Sequence, residues 1–517
     1  MLACPEVGFS DAHVCEAHRP AEEGSAVADY DVVVVGAGNA ALAASVSARE
    51  AGAERVVVLE KAPREMRGGN THYSGGMFRF AFDTIEDLLR VVPDANELAG
   101  FPEGVEPYPR DAFWADLLRI TNGRTDRELA EVLISNSFDT VCWMVAQGIE
   151  MEPAVSLGGV MVGNVIKWPK GAIVRAKHEG VGLSRSWFEI VARRGVEIRY
   201  ETGAWKLLCN GGGRVAGVVA KGPGGGAEIT GRSVVLACGG FEANQAWRAQ
   251  YLGPPWDHAK VRGTKHNQGD GLRMALEIGA LAHGQWSGCH ATPINAEAPA
   301  YGDRELTDKT NRLSYPYGLM LNKLGRRFVD EGEDQQFFTY ARFGGVILNQ
   351  PESIAYQIFD AKVRHLLEPR YATSEPVTAD TLERLVERLD LDRATALETI
   401  EAYNRAAGRG RFDPGECDGM AAKGIEPPKS NWAQRLDTPP YLAYPVTGGI
   451  TFSFGGLKVD ERARVIGTDW RPIPGLYACG EMVGGLFHSN YPGGSGLTSG
   501  VVFGRIAGAS AAMKQSE

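Results

Sequence analysis

Gly36, Gly38 and Ala41 stand in the spacing GxGxxA between a valine run at 29–36 (DYDVVVVG) and an alanine-rich helical stretch at 40–51. Gly36 permits a tight turn, Gly38 lets the backbone approach a pyrophosphate, and Ala41 lets helix and strand pack closely. The helix start, Asn39 and Ala40, brings N–H donors and a positive partial charge to the phosphates. Glu60, with Lys61 beside it, ends a second valine run at 55–60 (RVVVLE), where a carboxylate suits a ribose hydroxyl. Strand, glycine turn, helix, strand and acid follow in order. That context reads as a dinucleotide-binding βαβ unit rather than an isolated glycine turn.

Two further glycine-rich stretches extend the site. Residues 68–76 (GGNTHYSGG) place Gly68, Gly69, Asn70, Thr71, Ser74, Gly75 and Gly76 soon after the ribose acid. A small-residue loop there suits a long cofactor stretched across the domain, FAD rather than NAD. Near the C-terminus, Gly480-Glu481 ends a strand, so Glu481 is placed for ribityl hydroxyls. Residues 491–497 (YPGGSGL) open the last helix through Ser495, Gly496 and Leu497. Its N–H groups suit negative charge on a reduced flavin. Ala204, Ala237, Cys238 and Gly239 complete the candidate cofactor set.

These residues must be positioned by buried elements. The continuous valine runs imply parallel strands covered on both faces. Strands are expected at 196–200, 215–220, 233–238 (SVVLAC) and 475–479 (GLYAC), with a hairpin at 457–466. Residues 110–148 and 378–407 read as helical from apolar spacing. The last helix, about 497–513, carries Gly500, Gly504 and Gly508 on one face, which suits close packing on a sheet. The fold class is therefore α/β: a Rossmann-like FAD-binding domain, with parallel sheet and β-meander, interrupted by an α+β capping domain. The expected limits are a flexible tail at 1–28, cofactor domain at 29–282 and 446–517, and cap at 283–445.

Composition excludes several classes. The chain has 517 residues, 44% hydrophobic and 23% charged, ordinary for a globular protein. The 65 glycines are nearly twice the usual share of about 7%, and they cluster beside apolar runs where backbones approach something closely. A net charge of −10 without a basic stripe argues against nucleic acid. The eight cysteines are scattered with no CxxC pair, so they read as free thiols. Cys4, His13, Cys15 and His18 lack metal-site spacing, and no metal is expected. With no apolar run near 18 residues and no basic start before an apolar segment, neither a membrane span nor a secretory signal is expected, and a cytoplasmic location is.

The segments DYDVVVVGAGNAALAA, GGNTHYSGG, VVLACGGF, GDGLRMALEIGA, GRRFVDE and IPGLYACGEMVGG resemble the fumarate reductase/succinate dehydrogenase flavoprotein superfamily from residue 29 to about 508. Within it, GGNTHYSGGMFRF, QWSGCHATP, FTYARFG and LFHSNYPGGSGLTSG are most similar to tricarballylate dehydrogenase. The resemblance implies FAD, a substrate held between flavin and cap, and electron transfer to a membrane-associated iron–sulfur or quinone-linked partner. Family members with covalent FAD carry a His six residues before the Gly75-Gly76 pair; Gly69 stands there, and His72 comes three residues later, so noncovalent FAD is implied. The fumarate reductase proton-donor Arg corresponds to Gln335, with Arg342 further on. The family's second substrate His corresponds to Phe452 and its carboxylate-clamping Arg to Tyr491, while His290 matches a family substrate-site His. Tyr491-Pro492-Gly493 is also similar to the 3-ketosteroid Δ1-dehydrogenases, in which a Tyr there polarises a carbonyl.

The chemistry expected is C=C formation: a base takes a proton next to an electron-withdrawing group, and hydride passes to flavin N5. A polycarboxylate substrate needs several cations, for which Arg79 and Arg342 are candidates. Arg79 read alone is equally a solvated surface arginine. His290, His488, Tyr491 and Tyr340 are the remaining catalytic candidates. Three functions stay open: tricarballylate oxidation to cis-aconitate, an enone-forming or enone-reducing enzyme of the ketosteroid dehydrogenase kind, and an electron-transfer subunit without its own substrate. A cation-poor, aromatic-lined cleft would favour the second.

Overall fold

The computed structural model describes residues 28–171 and 173–513. The expected flexible tail and the Cys4, His13, Cys15 and His18 group lie outside them, save for residue 28. The chain begins with β1 (Tyr30–Val35), α1 (Asn39–Glu50) and β2 (Val56–Leu59). After a helical region that includes α2 (Arg127–Gln147) and α3 (Glu179–Arg193) come β3 (Glu197–Arg199), β4 (Gly203–Cys209), β5 (Val215–Gly222) and β6 (Gly225–Leu236). Next are β7 (Ala282–Asn295), β8 (Leu319–Asn322), α4 (Tyr340–Leu348), β9 (Ala355–Phe359) and the long β10 (Tyr441–Leu457). The chain closes with β11 (Arg464–Ile466), β12 (Pro472–Ala478) and α5 (Ser495–Ala512).

The cofactor-side sheet runs β11-β12-β6-β1-β2-β3. All neighbours are parallel except the antiparallel β11 edge. Val32–Val35 pair with Val56–Leu59 on one side and 233–236 on the other, and their side chains are sealed from solvent. That is why these strands read as unbroken valine runs. Strands β4, β5 and β6 form the antiparallel meander.

Contrary to the expectation of packing on a sheet, the glycine face of α5 does not meet one. It meets α1: a Cβ on Gly504 would stand 2.5 Å from the Ala40 carbonyl oxygen, and one on Gly508 2.0 Å from that of Ala44. Small residues on both helices let the two axes approach. Other expectations shift in detail. The helix over 110–148 breaks at Asn122 and Gly123, which take positive φ. The 378–407 stretch is a short strand, Val377–Ala379, then helices Leu382–Glu387 and Arg393–Ala406, the second capped by Asp392. Helix α2 is long and apolar enough to cross a membrane, contrary to expectation, but its Leu129, Leu133, Val141 and Met144 are buried in the protein core.

Strands β7 and β10 are antiparallel partners that also anchor β9 and β8. The expected domain limits at 282/283 and 445/446 fall at the start of β7 and inside β10, so the cap is continuous with the cofactor fold through two paired strands. A separate apolar cluster, including Leu319, Ile358, Leu385, Ile400 and Tyr403, supports the cap's far side. Tyr315, Tyr340 and Phe343 belong instead to the main core.

Candidate active site

One long cavity runs from the start of α1 to the cap. It is lined by Gly36, Gly38, Asn39, Ala40, Glu60 and Lys61, by Gly69, Asn70, Thr71, Ser74, Gly75 and Gly76, and by Ala204, Ala237, Cys238 and Gly239. Gly480, Glu481, Gly496 and Leu497 line it from the C-terminal side. Gly36 has φ +104°, and a Cβ there would lie 2.4 Å from the Ala237 carbonyl oxygen. Gly38 is different: nothing comes within 3.6 Å of its missing Cβ, so its open side is the cavity. Helix α1 has no side-chain cap and no acid in its first turn, and α5, starting after Gly494, has neither. The first N–H of each helix is taken, that of Asn39 by Thr71 Oγ1 at 2.9 Å and that of Ser495 by the Pro492 carbonyl at 3.1 Å. The next turn positions, Ala40 and Gly496, line the cavity, where the positive ends of the two helices fit a pyrophosphate at one end and an electron-rich ring edge at the other.

Three expected contacts sit behind the wall. Ala41 is fully buried against the sheet. Gly68 makes a left-handed turn whose Cβ would strike Ser184 Oγ at 2.4 Å. The Ser495 hydroxyl donates to the Pro492 carbonyl. Asn39 lines the cavity, but its side chain is a tie: Oδ1 accepts from Trp187 Nε1 at 2.7 Å and Nδ2 donates to the Leu497 carbonyl at 3.0 Å. Glu60 accepts from the Ala62 N–H at 2.7 Å, and burial pushes its carboxyl up. Glu481 accepts from the Ser453 N–H at 2.7 Å and its hydroxyl at 3.1 Å. Gly69 lines the cavity and His72 does not, so at this loop no imidazole takes the place of a covalent link.

Sequence reasoning missed Glu242. It is fully buried and accepts from Asn70 Nδ2 at 2.7 Å and Asn267 Nδ2 at 2.5 Å. Burial and the neighbouring Glu481 raise its pKa well above the usual carboxylate range. Its only signal was an acid directly after the Gly239-Gly240-Phe241 turn.

At the cap end the cavity becomes an aromatic slot of Phe337, Tyr340, Phe452, Phe454, Phe487 and Tyr491. Tyr340 on α4 and Tyr491 before α5 hydrogen-bond through their hydroxyls. Burial raises both phenols, Tyr340 further through Tyr491, while the Arg262 charge acts in the opposite direction on each. Behind the slot lies His290, 1% exposed. Its ring stacks on Phe452 at 5.1 Å and meets Tyr491 edge-on at 4.8 Å and Tyr340 at 5.0 Å. Among the described residues neither ring nitrogen has a hydrogen-bond partner, and burial holds the imidazole neutral, its pKa well below the usual value.

Three of the six catalytic expectations are corrected. Arg79 is not a surface residue, and it does not line the cavity. It is fully buried, donates to the Gly493 carbonyl at 2.8 Å and the Lys170 carbonyl at 2.6 Å, and lies 5.1 Å over the Tyr108 ring. It braces the turn that precedes α5. Arg342 is outside the cavity, 37% exposed and paired with Glu333, because α4 turns Tyr340 inward and Arg342 outward. His488 faces a separate depression with Arg124, Tyr251 and Trp286. Besides Lys61, which pairs with Asp270 at 2.6 Å, the cavity is lined by the cations Arg262 and Arg370, which no spacing rule marked. Both bind Asp308, Arg262 at 2.6 Å, and Arg370 also binds Glu368 at 3.3 Å.

The family model for an FAD binding domain matches residues 31–497. A fumarate reductase (cytochrome) of Shewanella frigidimarina is 29% identical, over 93% of this chain and 77% of that protein. A 4-oxocyclohexanecarboxylate 2-dehydrogenase of Sinomonas cyclohexanicum is 26% identical over 93% of each chain. The open conformation of a flavocytochrome c3 fumarate reductase superposes with a TM-score of 0.70 at 26% identity, covering 93% of this chain and 78% of that one. A match across nearly the whole chain meets a cavity built for a long dinucleotide: the protein belongs to the FAD binding domain family, within the fumarate reductase/succinate dehydrogenase flavoproteins, and is an FAD-dependent oxidoreductase acting on CH–CH bonds.

Proposed function

We propose that the enzyme forms, or in reverse saturates, a C=C bond α,β to a ketone carbonyl. The observation that carries this reading is the hydrogen-bonded Tyr340–Tyr491 pair inside an aromatic slot of the cofactor cavity. Bound FAD supplies the hydride acceptor or donor. The chain's own task is to hold the carbonyl, stabilise charge on its oxygen as the neighbouring proton moves, and exclude water. Two buried phenols kept protonated supply donors for that oxygen, one hydroxyl bonding the other and leaving a proton for the substrate. The apolar ring walls exclude water and orient a flat carbon skeleton.

The tricarballylate reading requires cations free to receive three carboxylates. The positions expected to supply them, Arg79 and Arg342, do not line the cavity, and Arg262 and Arg370 share the Asp308 carboxylate. The relative named for 4-oxocyclohexanecarboxylate supports a cyclic ketone instead. The test is anaerobic flavin bleaching of the holoenzyme by 4-oxocyclohexanecarboxylate, cyclohexanone, succinate and tricarballylate, each added separately. Bleaching by a ketone, lost in Tyr491→Phe, supports the proposal. Bleaching by tricarballylate or succinate alone sinks it.

A further inference from the structure

We propose that Arg262 is a third catalytic group of this slot, a fixed cation that joins the tyrosine pair around the substrate oxygen, so that the ligand class is a ketone or aryl alcohol held as its oxyanion. The inference rests on the ketone reading above and deepens it.

Arg262 is 8% exposed, yet it lines the cavity. Its backbone N–H donates to the Ile450 carbonyl at 2.8 Å, which fixes the residue to β10 at the edge of the slot. The guanidinium is fixed twice more: Nε donates to Thr451 Oγ1 at 3.0 Å and Nη1 to Asp308 Oδ1 at 2.6 Å. Among the described residues Nη2 has no hydrogen-bond partner. A buried, planar donor pinned on one side presents its other side in a defined direction. Thr451, which holds the guanidinium, is followed on β10 by Phe452, whose ring meets Tyr491 at 5.2 Å and stacks on His290 at 5.1 Å. Arg262 therefore sits at the slot end of the cavity, and its charge bears on Tyr340, Tyr491 and His290.

Arg370 does not share this arrangement, since it is held by Asp308 and Glu368. Asp308 and Glu368 together offset the charges of Arg262 and Arg370, which leaves the cluster with little net charge to attract a polyanion. A single negative oxygen formed next to Arg262 is another matter, because at short range in a dry slot one guanidinium contact is strong. Two phenols that burial keeps protonated share the developing charge poorly by themselves; an adjacent cation corrects that deficit.

The probe is 4-nitrophenol titrated into the FAD-loaded enzyme across a pH range, read from the probe's own ionisation band and from perturbation of the flavin spectrum. The wild type is expected to bind the phenolate more tightly than the phenol. Arg262→Gln is expected to weaken phenolate binding by about tenfold or more, the loss of a charged hydrogen bond, and Arg262→Lys to restore part of it. Tyr491→Phe is expected to weaken it as well. Should Arg262→Gln fail to hold FAD, the wild-type pH dependence decides: preference for the neutral phenol overturns the inference. Loss of binding in Tyr491→Phe but not in Arg262→Gln overturns it while leaving the ketone reading intact. Unchanged binding in both variants overturns both.

Discussion

Tyr340 and Tyr491 bond each other and both meet the His290 ring; burial raises both phenols, the Arg262 charge works against that on each, Asp308 adds to it on Tyr340, and Arg79 opposes it on Tyr491. A raised phenol is protonated at neutral pH and gains its basic form only as pH rises. Turnover that uses the two protonated phenols as donors to the carbonyl oxygen is therefore expected to hold through neutral pH and to fall only in alkaline solution, as they ionise. A rate that climbs as the phenols ionise would show the pair acting as a base and not as donors. Replacing Tyr491 by Phe is expected to lower turnover by about 10²–10³-fold while FAD content stays constant. His290 carries a different pH signature. Its folded pKa lies well below the unfolded value, so the unfolded chain takes up a proton below about pH 6.5 that the native state refuses. Stability is thus present above that pH and declines as pH falls, and His290→Phe is expected to flatten the acid limb of a denaturation series. Tyr340 and Tyr491, expected at the site from sequence, both line the cavity. Arg79 and Arg342 were misread because sequence marks a charge without its direction: one points into a backbone turn, the other into solvent.

At the scale of elements, the cofactor cradle was legible in nearly all its parts because glycine spacing states a backbone requirement directly. What was illegible was the partner of the α5 glycine face. Close approach to a helix and to a sheet make the same demand for small residues, and only the small Ala40, Ala43 and Ala44 opposite distinguish them. Gly508→Val is expected to force α1 and α5 apart, costing about 1–3 kcal/mol or more, and to weaken FAD binding by displacing both helix starts from the cavity. Equal FAD affinity in the variant, measured by flavin release on dilution, would show that the helix pair does not set the cradle.

For the whole molecule, the cavity wall draws on residues from Val35 to Gly500, so one ligand spans the beginning and end of the chain. FAD is expected to act as a clamp. Free FAD a thousandfold above its Kd adds about 4 kcal/mol to the stability of the protein, visible as a melting temperature that climbs with FAD concentration. A melting temperature indifferent to FAD would contradict a cofactor site of this extent. The borders expected at 282/283 and 445/446 fall in β7 and β10, which run through them without a change in residue character.

Strand β10 carries the pairing of His290 with Phe452 and of Ala291 with Ile450, which leaves Thr451 as the extra residue of a β-bulge. Three successive residues thereby reach the cavity with separate duties: Thr451 holds Arg262 and Asn70, Phe452 walls the slot, and Ser453 holds Glu481. A slip of one position would hand each duty to the wrong side chain. New substrate preferences in this lineage can therefore arise by exchanging the side chain at Phe452, whereas lengthening or shortening the strand would disable recognition and cofactor attachment in one stroke.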